Sequence, residues 1–205
     1  MSKLFGESHR QLQRAFDTER LADRIEQRLF RERLTDEDRA FVEGLDMFFL
    51  ATADSAGRPN CSYKGGDPGF VRVLDASTLQ FPNYDGNGMY LSMGNVAENA
   101  HVGLLFIDFE RQKRLRVNGI AIIAPAAAAD PPYREAQFLV NLQVRQVFPN
   151  CPRYIHRMAR VEPSQSVPRA AVRTPVPGWK RMDWASDVLP AGDPARLPEP
   201  EPPAN

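Results

Sequence analysis

The sequence predicts a mainly β protein: a small antiparallel barrel with helices ahead of it and one helix between its strands. Three observations predict this. From Met47 onward, short apolar or alternating stretches follow one another at hairpin spacing, separated by Asp-, Gly- and Ser-rich turns. Ahead of Met47 the chain is charged, and its apolar residues recur at helical steps. Among the predicted strands, a Gly/Asn-rich loop opens a further helical segment.

The elements follow in order. From Glu7 to Arg33, Leu12, Phe16, Leu21, Ile25 and Leu29 form one apolar stripe, which predicts an amphipathic helix packed on the protein. Thr35 is an N-cap candidate with Asp36, Glu37 and Asp38 behind it, and Phe41, Val42 and Leu45 are the expected buried face of a second helix. Met47–Thr52 reads as a buried strand, Asp54–Gly57 as a hairpin turn and Pro59–Lys64 as the return strand. Phe70–Leu74 and Thr78–Phe81 form a second hairpin around Asp75-Ala76-Ser77. The loop 83–88 leads to a short helix near Met89–Glu98. His101–Ile107 and Leu115–Ile123 are the next strands, and Ala124–Pro132 is a Pro- and Ala-rich loop. Tyr133–Gln146, with Phe138, Leu139, Leu142 and the following Val147 apolar, reads as a helix, and Tyr154–Val161 as a closing strand. The expected organisation is a helical extension over 1–46, the barrel over 47–162, a segment over 163–189 that packs on the barrel or on a second copy, and a flexible Pro-rich tail over 190–205.

Composition narrows the function. The chain has 205 residues with 26 basic and 26 acidic side chains, a balance that offers nothing to a nucleic-acid backbone or an anionic membrane. No apolar stretch is long enough to span a bilayer and no apolar signal core follows the N-terminus, so a soluble cytoplasmic protein is expected. Cys61 and Cys151 form no CxxC pair and are expected as free thiols; Cys151 reads as a buried structural residue, with a reactive thiol as the alternative. His9, His101 and His156 lack metal-ligand spacing, so no metal is expected. The serine-hydrolase elbow, the P-loop and the dinucleotide fingerprint are all missing from the sequence.

Three segments carry candidate chemistry. In the strand ending at Lys64, alternation puts Asn60, Ser62 and Lys64 on one face, and an amide, a hydroxyl and an ammonium together suit an anionic, hydrogen-bonding ligand. An ordinary half-exposed strand reads the same way. In Lys113–Gly119, Arg114, Arg116 and Asn118 share a face; paired guanidinium groups grip phosphate, and also serve as a solvated strand edge or as ion pairs between subunits. The loop Asn83–Gly88 frees backbone N–H groups ahead of a helix, with Asn87, Ser92 and Asn95 as further donors, although most such loops are simple turns. Tyr133, Tyr154, Trp179 and Trp184 could stack on a planar ligand or pack in place.

In order, Phe49–Pro59, Ser62–Gly66, Pro68–Val73, Gly86-Asn87-Gly88, Asn95–Phe106 and Leu115–Gly119 resemble the flavin-binding core of the pyridoxamine 5′-phosphate-oxidase-like proteins, over roughly Met47–Ala124. The resemblance implies a mainly β, antiparallel, Greek-key-like split β-barrel that binds FMN at a homodimer interface. It places Asn60, Ser62, Tyr63 and Lys64 along the flavin, Asn83 near its ring, and Asn87, Ser92 and Asn95 near its phosphate. Arg114 and Arg116 fall where the family's strand supplies polar groups to the cofactor. The family's Ser-Arg-Lys triplet is replaced here by Leu91-Ser92-Met93, and the substrate-serving Trp and Arg have only Trp179, Arg181 and Trp184 as counterparts. The resemblance therefore implies an FMN-dependent oxidoreductase acting on a small molecule other than pyridoxamine phosphate. A non-catalytic flavin-binding or sensing protein, or a relative using deazaflavin or haem, is the alternative.

Overall fold

The computed structural model describes residues 2–126 and 133–198. The chain divides into two compact units, Met1–Pro163 and Ser164–Asn205.

The first unit opens with α1 (Glu7–Ala15) and α2 (Glu19–Leu29), where one helix was expected. The break sits at Asp17, whose φ of 53° is left-handed, a conformation that short polar side chains tolerate better than most. An Arg10–Asp23 ion pair of 2.7 Å joins the two helices. Neither helix buries a residue: Leu12 is 63% exposed and Phe16 75%, so the predicted stripe exists but the described residues leave it exposed. Helix α3 (Asp36–Glu43) starts as predicted. Thr35 Oγ1 accepts from the Asp38 N–H at 3.2 Å, and Asp38 accepts from the Thr35 N–H at 2.9 Å. Val42 is fully buried, and Phe41 and Leu45 pack against the core.

The strands are β1 (Met47–Ala53), β2 (Pro59–Gly65), β3 (Arg72–Asp75), β4 (Thr78–Asn83), β5 (His101–Asp108), β6 (Lys113–Pro125) and β7 (Phe138–Pro149), with α4 (Leu91–Glu98) between β4 and β5. They form one antiparallel seven-stranded sheet in the order β2-β1-β5-β6-β7-β4-β3. That order is not sequential, as in a Greek key. In a flat sheet β1 and β4, four places apart, would lie roughly 19 Å from each other. Instead Phe48 of β1 and Phe81 of β4 meet edge to face, with ring centroids 5.1 Å apart. The sheet therefore curls around a core of Phe48, Leu50, Leu79, Phe81, Leu104, Phe106, Val117 and Val147. Its edge strands β2 and β3 do not pair, and this makes a split barrel.

Two predicted elements are corrected. Tyr133–Gln146 is not a helix; its second half belongs to β7, which pairs with both β6 and β4. Tyr154–Val161 is not a strand; it follows Pro152, Tyr154 has a φ of 67°, and Val161 is 99% exposed. The predicted loop over 124–132 begins later, because β6 runs to Pro125, and residues 127–132 lie outside the described residues. The end of the tail, from 199, also lies outside them.

In the second unit, short helical turns cover Gly178–Arg181, Asp183–Ser186 and Pro194–Arg196. Lys180 Nζ donates to Asp193 at 2.8 Å, and both side chains are buried. Trp179 and Trp184 stack at 5.8 Å. No described helix is long and apolar enough to cross a membrane.

Candidate functional site

A cleft of about 320 Å³ opens where β2, the end of β4, the following loop and α4 meet. That volume lies at the lower end of the range for small-molecule sites. Strand β2 lies at the sheet edge and pairs with β1 alone. The predicted alternation holds: Asn60, Ser62 and Lys64 are half-buried and line the cleft, whereas Cys61 and Tyr63 are exposed on the other face.

Helix α4 closes one wall. Ser92, in its first turn, is buried. Its Oγ accepts from Asn60 Nδ2 at 3.0 Å and shares a 2.9 Å hydrogen bond with Ser62 Oγ. The helix starts at Tyr90 in a left-handed conformation, φ 50°, and Gly88 ahead of it has a φ of 74°. A side chain at Gly88 would be strained, so this loop needs its glycine.

Lys64 is the cleft's main charge. No hydrogen bond or ion pair of its ammonium is found among the described residues, and burial pulls its pKa below the ordinary lysine value. Among the described residues lining the cleft, Lys64, Tyr84 and Tyr90 are the titratable ones. Burial, and then the charges of Asp67 and Glu135, push the Tyr84 pKa up, so its hydroxyl keeps its proton at neutral pH. A cation without a counter-charge beside hydroxyls and amides is a donor set for an anionic ligand.

The rear of the cleft is an amide relay that the sequence reading missed. Asn83 Nδ2 donates to the Tyr84 carbonyl at 3.2 Å and to Gln137 Oε1 at 3.0 Å. The Tyr90 hydroxyl donates to the same Oε1 at 3.1 Å, and Gln137 Nε2 donates to Asp85 at 3.4 Å. Gln137 lay in the stretch read as a helix, so nothing in the sequence pointed it at this loop.

Of the predicted site residues, Asn60, Ser62, Lys64, Asn83, Asn87 and Ser92 come together here. Four others are placed elsewhere. Asn95 donates to Thr52 Oγ1 at 3.1 Å and ties α4 to β1. Tyr63 points outward against Phe49. Arg116 is exposed on the outward face of β6, with its guanidinium 5.7 Å from the Phe148 ring centroid. Arg114 shares that face and is half-buried. Cys151 is exposed rather than buried, because it follows β7 in an irregular segment, and both cysteines are free.

The model of the family described as pyridoxamine 5′-phosphate oxidase matches residues 34–164 of this chain. No curated protein matches it. Among solved structures, HupZ of Group A Streptococcus is 19% identical with a TM-score of 0.46, covering 62% of this chain and 99% of that one. A Lactobacillus delbrueckii protein named as a pyridoxamine 5′-phosphate oxidase candidate is 27% identical with a TM-score of 0.46, covering 58% and 95%. An FMN-binding protein of Syntrophomonas wolfei is 10% identical with a TM-score of 0.45, covering 68% and 97%.

Proposed function

Because this chain belongs to the pyridoxamine 5′-phosphate oxidase family, we propose that it is a flavoprotein that binds FMN in the cleft of β2, β4 and α4 and uses it to oxidise or reduce a small molecule. The observation that carries the proposal is Lys64, a half-buried ammonium with no counter-charge among the described residues. FMN supplies what this donor set lacks, an anionic phosphate and a ring system rich in hydrogen-bond acceptors. Lys64, Asn60, Ser62 and Ser92 would hold it, with Asn87 at the rim. When bound, flavin supplies hydride chemistry that no side chain of this cleft performs. The chain's own residues bind and orient it, Lys64 favours negative charge on it, and Tyr84 stays protonated as a donor.

The proposed assembly is a homodimer with the cleft at its interface. The outward sheet face supports this reading. Tyr63, Phe49, Leu105, Arg116 and Phe148 stand in one cross-strand register row. The exposed stripe of α1 and α2 adds further uncovered apolar surface. In such a dimer, Arg114 and Arg116 would serve the flavin of the second copy, which is the role left for them outside their own cleft. The setting is proposed to be the cytoplasm.

NAD(P)H-driven reduction tests the reaction. An oxidoreductase shows bleaching of the bound flavin by NAD(P)H and recovery of its colour in air. Flavin that stays oxidised under NAD(P)H, and under a panel of other reductants, leaves a flavin-binding protein without turnover. The scarcity of titratable groups in the cleft favours that second reading.

A further inference from the structure

We propose that Asn83 determines which ring system the cleft accepts: its side-chain carbonyl, aimed by Gln137, takes a hydrogen bond from a ring N–H of the imide type. This inference rests on the flavin reading, since the flavin ring carries one such N–H between two carbonyls.

The direction of the Asn83 amide follows from its neighbours. The Tyr84 carbonyl can only accept, so the Asn83 atom 3.2 Å from it is the nitrogen. At the other end, the Asp85 carboxylate accepts from Gln137 Nε2, which turns Gln137 Oε1 toward Asn83. A main-chain bond from the Gln137 N–H to the Asn83 carbonyl, 2.9 Å, holds the two residues side by side. Both hydrogens of Asn83 Nδ2 are thereby used. Its Oδ1 takes no hydrogen bond among the described residues, yet it is not one of the fully buried atoms without a partner. Asn83 is 8% exposed and lines the cleft, so the access that Oδ1 keeps opens into the cleft.

The cleft therefore has two kinds of recognition group. Lys64, Asn60 and Ser62 favour an anion, and Asn83 requires a donor. A ligand without an N–H at that position leaves a nearly buried acceptor unpaired, whereas a polar group tuned to one partner rejects the analogue that lacks it. Asn83 would touch the ligand; Gln137 acts through Asn83 and is a positioning residue.

The test titrates the full chain, freed of flavin, with FMN and with N3-methyl-FMN, whose ring N–H is replaced. The wild type should bind FMN at least about tenfold more tightly, about 1.4 kcal/mol. Asn83→Leu keeps the size and removes the acceptor, so the preference should fall to about threefold or less, whereas a purely steric exclusion of the methyl group would survive. Gln137→Leu removes one of the two acceptors that hold the Asn83 amide, leaving the Tyr84 carbonyl alone to aim it, and should lower the same ratio. If Asn83→Leu does not fold, the wild-type ratio and Gln137→Leu decide. FMN bound tightly with no preference over N3-methyl-FMN, or a wild-type preference kept in both variants, overturns this inference and leaves the flavin reading standing. Failure of the wild type to bind either compound overturns the flavin reading and this inference together.

Discussion

Lys64 is a half-buried charge with no partner among the described residues. Burial lowers its pKa, so the folded chain binds that proton more weakly than the unfolded chain does. Between the two pKa values the unfolded state carries more protons, and stability rises with pH there; at neutral pH the charged lysine is a cost. Lys64→Met should therefore raise the melting temperature of the flavin-free protein while weakening FMN binding about tenfold to a hundredfold. Thermal melts and titrations on the same preparations check both signs. The affinity of the wild type should also fall at alkaline pH as Lys64 loses its proton. The Asn60/Ser62/Lys64 face was legible in the sequence because strand alternation alone sets it. Gln137 was not legible: its partners Asn83 and Tyr90 lie 54 and 47 residues away, and only the β4–β7 pairing brings them together.

Strand β7 shows why element type was harder to read than element position. Along it the buried residues are Leu139 and then Val140, Leu142, Val144 and Val147. The step of three comes from a bulge at Arg145, where Asn118 pairs with Gln146 but Gly119 with Val144. Taken with Phe138 and Leu139, that interrupted alternation imitates a helical period, and so the stretch reads as a helix. By contrast, the β1–β2 and β3–β4 hairpins and the Thr35 cap were legible because their signals are local. The bulge also explains Gly119. A Cβ there would lie 2.2 Å from the Gln143 carbonyl oxygen, and backbone cannot yield as a side chain can. Gly119→Ala should destabilise the protein by about 1–3 kcal/mol, read as a lower denaturation midpoint with an unchanged slope.

At the scale of the whole molecule, the described residues leave a run of large apolar side chains exposed. Among the described residues Leu12, Phe16, Leu21, Ile25 and Leu29 are exposed, and the outward sheet row ends in an arginine over an aromatic ring. Sedimentation should give about twice the 23.1 kDa chain mass. Arg116→Glu should shift that toward the monomer and weaken FMN binding with it; a monomeric wild type with full affinity would remove the second copy from the site. The most direct test of the account is titration of the flavin-free wild type and of Lys64→Met with FMN, followed by flavin fluorescence. The account predicts saturation at one FMN per chain, with a dissociation constant of about 1 µM or below in the wild type, about 8 kcal/mol of binding, and a markedly weaker one in the variant. A fluorescence signal that does not change with wild-type protein, or equal affinity in the two, would contradict it.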